Sequence, residues 1–285
     1  MSAPTTAAHQ PKPIRLRAAK IIPYALLCVG AFIVIYPFFY MVMNSIKPGT
    51  EILHSPNALP SHITFSGYVG VFERLDILQL FRNSLALAGW ITILNTFLSA
   101  LCAYALAKIP FPGREKLFSL MLTTMMIPSV LFLIPTYVIM YNLGWVNTFR
   151  ALIIPQAVAV YNIFLLRQFM AGIPDELVES ARLDGASDLS IFTKLILPLI
   201  RPALVTVAIL TFMGSWNDFL GPLLYLNRPE LWTVQLGLLQ FQSSVPGENA
   251  QEIWAAITMI TLPPIVLYFF LQDQFIQAFA NVRFK

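Results

Sequence analysis

Few ionisable side chains fall inside the apolar stretches of this 285-residue sequence. Asp218, beside Asn217, is the one acid near the interior of an apolar run, where an ionisable group is costly and by default indicates a pathway for a substrate or ion. The alternative is that Asp218 pairs with a neighbouring helix or lies near an interface. Tyr161 and Asn162 could bond to a polar substrate or, equally, between membrane helices. These four residues are the candidate translocation-path residues.

Other chemistry has no candidates. The histidines, His9, His54 and His62, lie in polar tail or loop sequence, and the two cysteines have no Cys or His neighbours at metal-ligand spacing. No Gly-rich stretch ends in Gly-Lys-Ser or Gly-Lys-Thr, and no Gly-x-Gly-x-x-Gly occurs. The sequence therefore predicts no metal, no cofactor and no catalytic constellation in this chain, and energy from a nucleotide would have to come from another chain.

The composition indicates a membrane protein. Hydrophobic residues make up 57% of the chain and charged residues 11%, with a mean hydropathy of +0.70, whereas soluble domains carry about 25% charged residues. With so little total charge, the net charge of +4 is better explained as a topology signal than as a nucleic-acid surface.

Six apolar runs are long enough to cross a bilayer, which predicts an all-α protein with six transmembrane helices. The fourth run is short, and its extension to Phe169 leaves Arg167 near its end, where the side chain could reach the headgroups. Glu115, between Arg114 and Lys116, is expected in a solvated turn. The six runs are Ile21–Ile46, Leu85–Ile109, Leu117–Tyr141, Ala151–Leu166, Ala203–Leu226 and Ile253–Gln272.

The distribution of cations predicts the orientation. With the N-terminus inside, thirteen of the 18 Lys and Arg residues are cytoplasmic, in agreement with the positive-inside rule. Residues 1–20 and 277–285 then form cytoplasmic tails, residues 21–276 form the transmembrane domain, and residues 167–201 form a cytoplasmic loop. The five cations left outside are Lys47, Arg74, Arg82, Arg150 and Arg228.

The 167–201 loop has the signals of two short amphipathic helices. Pro174 with acidic residues behind it is typical of a helix start, and Gly185 should end that helix. Ser187 can cap a second helix with one apolar face, which Pro198 should end; the residues of that face are Leu189, Phe192 and Leu195.

Small residues between Glu179 and Gly185 would let another surface approach the backbone of this loop. Ser180 and Ala181 supply the small side chains, and Glu179 and Arg182 supply charged contacts. The loop is thus a candidate docking site, although a solvated connection would have a similar composition.

The loop resembles the cytoplasmic coupling loop of ABC importer permeases, whose pattern is Glu-Ala-Ala, three residues, Gly, nine residues, Ile-x-Leu-Pro. The chain has Glu179-Ser180-Ala181, three residues, Gly185, nine residues and Leu195-Ile196-Leu197-Pro198. Further segments are similar to the carbohydrate branch of these permeases, and the likeness is to the six-helix member of the maltose-type pair. They include 108–113, 125–135, 142–148, 164–169 and 214–219.

The resemblance implies the fold, the partners and the coupling residues. It implies the ABC importer permease fold with a cytoplasmic coupling-helix loop, in the inner membrane of a prokaryote. The partners would be a second, unlike permease, two ATPase subunits that bind ATP and Mg, and an extracytoplasmic sugar-binding protein. A permease for glycerol-phosphate esters and an ion-coupled transporter are alternatives, the latter expected to carry several buried acids. The implied coupling residues are Glu179, Ser180, Ala181, Arg182, Asp184, Gly185, Leu197 and Pro198.

Overall fold

The computed structural model describes residues 15–241 and 249–280, with side chains for residues 23–241 and 249–272. These residues form helices, turns and loops, with no strand among them. They divide into two compact units: residues 15–68 with 249–258, and residues 69–241 with 259–280. The candidate site residues all belong to the second unit.

The first unit contains the long helix α1 (Arg15–Ser45), the short helix α2 (Gly49–His54) and the start of α3 (Ser66–Arg74). Most apolar side chains of α1 between residues 24 and 39 are exposed, as expected for a helix that faces lipid. Lys47, predicted as an outer cation, is buried, and its Nζ donates to the carbonyls of Ser55, Pro56 and Ala58. The lysine thereby organises the loop that follows α2.

The second unit is built on α4, a 32-residue helix from Ile77 to Lys108. Asp76 caps its start by accepting from the Gln79 backbone N–H at 3.1 Å. α4 packs mainly against α8 and α12. The other helices are α5 (Arg114–Thr124), α6 (Leu133–Asn142), α7 (Arg150–Ile153), α8 (Val160–Ala171), α9 (Asp175–Leu183), α10 (Asp188–Ile191), α11 (Leu197–Leu199), α12 (Arg201–Trp216), α13 (Leu220–Tyr225), α14 (Val234–Gly237) and α15 (Ala250–Ala280).

The number of continuous spans differs from the prediction of six. Among the described residues, three helices are long and apolar enough to cross a membrane: Pro23–Ser45, Ile77–Lys108 and Ala250–Gln272. Two bent pairs raise the number to five if each pair is one span: Arg114–Thr124 with Ser129–Asn142, bent by 89°, and Asp188–Leu199 with Arg201–Trp216, bent by 82°. The third predicted run is therefore a broken helix.

The fourth predicted run, Ala151–Leu166, is not a continuous helix either. It consists of α7, a non-helical stretch at residues 154–159 and the first part of α8. Pro155 accounts for the break, because it lacks a backbone N–H and disfavours the helical conformation of the residue before it. Similarly, the fifth run is interrupted at residues 217–219, between α12 and α13.

A polar network from α4 satisfies the break at residues 154–159. Asn95 Nδ2 donates to the Gln156 carbonyl at 2.7 Å, and Ser99 Oγ accepts from the Ala159 N–H at 3.5 Å. Asn162 Nδ2 donates both to Asn95 Oδ1 at 2.6 Å and to Thr211 Oγ1 at 3.0 Å. Because water is absent from a bilayer core, freed backbone groups need such partners. The network holds α4, α8 and α12 together at the break.

Replacement of Asn95 should destabilise the fold. Asn95→Ala leaves the Gln156 carbonyl and an Asn162 amide hydrogen unpaired in a buried place, at a cost of about 1–3 kcal/mol for each group. We expect thermal unfolding of the detergent-solubilised protein to shift down by several degrees. The exposed Asn142, changed to Ala, is the control and should leave the midpoint unchanged. An equal midpoint for both variants would contradict a stabilising role of the network.

Candidate functional site

The first helix of the 167–201 loop ends as the sequence predicts. α9 runs over Asp175–Leu183 and stops in a Schellman arrangement: the Ala186 N–H bonds to the Ala181 carbonyl and the Gly185 N–H to the Arg182 carbonyl, both at 3.0 Å. Gly185 has φ +80°, a left-handed conformation that favours glycine. The predicted glycine stop is confirmed.

The second helix of the loop confirms its predicted start and two of the three residues of its predicted face. Ser187 caps α10 by accepting from the Ser190 N–H at 3.3 Å. α10 continues through a π-helical turn, residues 192–196, into α11, so the chain stays helical past Pro198 to Leu199. Phe192 is buried and Leu195 packs against the core, whereas Leu189 is 64% exposed. The buried residues are Ile191, Phe192 and Ile196.

The inner side of the loop belongs to the core of the second unit. Val178 of α9, Ile191 and Phe192 are buried in one cluster with residues of α4, α8 and α12. The Phe192 ring lies 5.3 Å from the Tyr104 ring of α4, centroid to centroid. The loop is therefore a fixed part of the fold and not a solvated connection.

A buried lysine joins the start of α9 to the end of α4. Lys108 Nζ donates to the Ile173 carbonyl at 2.6 Å and forms an ion pair with Asp175 at 2.5 Å. The Lys108 side chain is 3% exposed and that of Asp175 76%. The hydrogen bond from Lys108, and then its charge, lower the pKa of Asp175 below its ordinary value. Further along the loop, Arg182 Nη2 lies 3.0 Å from Asp188 Oδ1.

Arg167 of α8 and Glu115 of α5 form a second connection. The Arg167 side chain is 14% exposed, donates to Glu115 at 2.6 Å and to the Leu106 carbonyl at 3.1 Å, and lies 3.9 Å from the centroid of the Phe118 ring. Arg167 thus bonds to groups of the fold, and Glu115 belongs to the first turn of α5, where it is 64% exposed and pairs with Arg167. The sequence analysis missed this pair and the Lys108 pair, although charges at the ends of apolar runs were a usable signal.

The eight predicted coupling residues separate into an exposed tip and inward-facing supports. Ala181 and Leu197 pack against the core, and Arg182 is held by Asp188. Pro198 is exposed where the chain bends into α12. The exposed residues of the tip are Glu179, Ser180, Asp184 and Gly185.

Three of the four predicted path residues line two open cavities. Tyr161 and Asn162 line one of about 360 Å³, and Asp218 lines another of about 490 Å³. Both cavities share Gln156 and Gly214. Asn217 lines neither of them: it is exposed, and its Nδ2 donates to the Met213 carbonyl at 2.9 Å. The structure therefore separates Asn217 from the other three.

Asp218 also caps a helix. Its Oδ1 accepts from the Gly221 N–H at 3.1 Å, at the start of α13. No basic side chain pairs with Asp218 among the described ion pairs. In the part of the chain that the structure describes, no group of three or more His, Cys, Asp or Glu could hold a metal.

Residues 95–281 match the sequence profile of a family described as the binding-protein-dependent transport system inner membrane component. The chain belongs to this family. As an inner-membrane component with several apolar helices, it is a multi-pass membrane protein.

Relatives of this inner-membrane component cover nearly its whole length. It is 34% identical over 259 residues to an arabinooligosaccharides transport system permease protein of Halalkalibacterium halodurans, which covers 88% of this chain and 92% of the relative. A diacetylchitobiose uptake system permease protein of Streptomyces coelicolor is 33% identical, with 88% and 84% covered. A chain from the crystal structure of a bacterial ABC transporter that imports the acidic polysaccharide alginate matches with a TM-score of 0.81, 25% identity, and 94% and 100% coverage.

Removal of the Lys108 charge should loosen α9. Lys108→Met leaves the Ile173 carbonyl and the Asp175 carboxylate without their partner, so we expect hydrogen-exchange protection of amides 173–185 to fall about tenfold or more. Lys116→Met, which removes an exposed cation from α5, is the control and should leave protection unchanged. Wild-type protection in Lys108→Met would show that the ion pair does not hold the loop.

The lowered pKa of Asp175 also predicts how the hydrogen-exchange protection of α9 depends on pH. Because Lys108 lowers the pKa of Asp175, the stability from this pair is present above the ordinary pKa of about 3.9 and is lost as pH falls through the lowered value. We expect protection factors for residues 173–185 to be constant from about pH 5 to 8. A fall of protection within that window, absent from Asp175→Asn, would contradict the assignment.

Proposed function

We propose that this chain is one of two unlike transmembrane subunits of an ATP-driven importer that moves a sugar into a prokaryotic cell. Family membership supports import that depends on a binding protein. Relatives named for arabinooligosaccharides, diacetylchitobiose and lactose support a sugar as cargo. The chain itself performs no catalysis in this proposal, and ATP and Mg bind to two separate ATPase subunits.

The proposed topology has six crossings of the inner membrane with both termini in the cytoplasm. The excess of Lys and Arg in the predicted inner segments supports this orientation. In this topology α5 with α6 would form one crossing and α12 another, with residues 188–199 on the cytoplasmic side, and the segment 150–171 would provide the sixth as a broken span. Such breaks are tolerated where the backbone is buried in protein.

The exposed tip of the 167–201 loop is the proposed contact with an ATPase subunit. One observation carries this assignment: among the described residues other than its two neighbours in the chain, none has an atom within 4 Å of the place where a Gly185 side chain would begin, although the inner face of the same loop is packed in the core. The φ of Gly185 favours glycine, and the space beside it is open to another molecule. The tip is small and exposed, and the inner face of the loop is held in the core. Such a tip is suited to a pocket on another subunit.

The proposed mechanism follows from this division between tip and support. ATP must bind better to the closed ATPase pair than to the open pair, so that binding shifts the population towards closure. The tip moves with the ATPase, and the buried face of the loop carries that movement to α4, α8 and α12. The ion pair between Lys108 and Asp175 connects the first helix of the loop to α4 directly.

A bulky residue at position 185 tests the docking proposal. Gly185→Leu costs only about 1–2 kcal/mol of backbone strain, because its side chain has open space. Gly144 has φ +66°, and among the described residues beyond its two neighbours none has an atom within 4 Å of a Cβ at this position, so Gly144→Leu is the matched control. We expect both variants to insert into the membrane, but only Gly185→Leu to lose uptake at least tenfold and to release the ATPase during purification.

The two variants give a clear contrast. If Gly185→Leu kept its ATPase and transported at the wild-type rate, the tip would not be the docking site. Equal losses in both variants would indicate backbone strain and would also count against docking.

A further inference from the structure

The two cavities of the second unit meet where two helix breaks come together. Gln156 lies in the break between α7 and α8, and Asp218 lies in the break between α12 and α13. The Gln156 side chain lines one of the cavities together with Asp218. The two cavities, of about 360 and 490 Å³, adjoin each other at Gln156 and Gly214, which line both of them, and we term the pair the Asp218 recess. Its size is that of small-molecule sites.

The lining of the Asp218 recess combines hydroxyl and amide groups with apolar surface. Around Asp218 are the hydroxyls of Ser129, Thr136 and Tyr225, together with the apolar side chains of Phe132 and Leu133. Tyr161 and Thr211 add hydroxyls in the adjoining cavity. A sugar ring presents hydroxyl groups at its edge and C–H surface on its faces, so this mixture fits a carbohydrate.

The charge of the recess is negative. Among the described residues that line the two cavities, Asp218 is charged and none is Lys, Arg or His. Sites for phosphate or carboxylate groups use Arg or Lys, whose N–H donors match those anions. Among the described lining residues, the recess therefore offers an anion no opposite charge to offset repulsion from Asp218.

The Asp218 carboxylate is held in place by the chain. Its Oδ1 accepts from the Gly221 backbone N–H at 3.1 Å. An ionised carboxylate has about four acceptor positions, so at least one remains for a substrate hydroxyl. A Cβ at position 221 would lie 2.5 Å from Asp218 Oδ2 and 2.8 Å from Leu152 Cδ2, so a side chain there would displace the Asp218 carboxylate.

We propose that the Asp218 recess is a sugar subsite of this chain, in which Asp218 accepts hydrogen bonds from substrate hydroxyls and selects neutral sugars over phosphate esters and acidic sugars. This inference rests on the proposed import function and makes its cargo specific. Family membership does not decide the charge of the cargo, since the matched alginate transporter imports an acidic polysaccharide.

Charged thiol reagents of similar size test the recess without knowledge of the natural cargo. In a background with Cys28 and Cys102 replaced by Ser, Thr136→Cys places a thiol in the recess and Asn142→Cys places one at an exposed site. We expect the ratio of labelling rates by a cationic and an anionic methanethiosulfonate to be at least threefold higher at position 136 than at position 142. Asp218→Asn should remove this difference, whereas Glu73→Gln, which removes an exposed acid elsewhere, should not.

Uptake by the complete importer tests the role in transport. We expect the wild type to import lactose or arabinotriose and not glycerol 3-phosphate, and Asp218→Asn to lose at least tenfold in uptake of the neutral sugar while it keeps its ATPase bound. Glu73→Gln should transport normally.

The outcomes separate this inference from the proposed function. Sugar uptake that is unchanged in Asp218→Asn, or equal labelling ratios at positions 136 and 142, would overturn the subsite and leave the importer assignment standing. Import of glycerol 3-phosphate in place of the sugars would overturn the charge selection. If the assembled wild-type complex imported none of the three probes, the proposed sugar function would fail, and the labelling ratio would still decide the charge of the recess.

Discussion

Backbone groups released at helix breaks must find hydrogen bonds inside this chain, because a bilayer core supplies no water. Polar side chains of α4 meet much of that need. Asn95 and Ser99 bond to the break before α8. At the other end, Asn83 donates to the carbonyls of Glu230 and Trp232, and Ser84 accepts from the Val234 N–H at 2.8 Å. The continuous helix α4 thus supplies hydrogen-bond partners to backbone groups of the interrupted segments.

This arrangement places the two candidate functional regions on one rigid element. Asn95 borders the Asp218 recess, and Lys108 bonds to the 167–201 loop. These residues are thirteen positions apart on a continuous helix, which corresponds to about 20 Å along its axis. Because α4 has no described break between them, the proposed displacement of the loop would reach the recess through this helix. The geometry supplies a physical connection for the proposed coupling of ATP binding to access.

Local signals in the sequence predicted the parts of the fold that depend on neighbouring residues. Gly185 and Ser187 define a helix end and a helix start through bonds that reach no more than five positions, so spacing alone located them. Hydropathy likewise located α1, α4 and α15, whose apolar runs are continuous. Pro155 signals the break at residues 154–159, but the partner that stabilises it was missed, because Asn95 lies 61 positions from Gln156. Likewise, the Lys108 and Asp175 pair spans 67 positions.

Asp218 shows why the sequence left two interpretations open for one residue. A bond of Asp218 to the rest of the fold and a contact of Asp218 with a substrate were treated as alternatives, but the helix break makes them compatible. Among the backbone N–H groups at the start of α13, that of Gly221 bonds to this half-buried carboxylate and offsets part of the cost of its burial, and the same break leaves space beside it. A continuous helix at residues 217–219 would bond these N–H groups to carbonyls one turn earlier and would leave the charge uncompensated. The break at residues 217–219, which hydropathy could not detect, therefore permits an acid inside an apolar run to line a cavity.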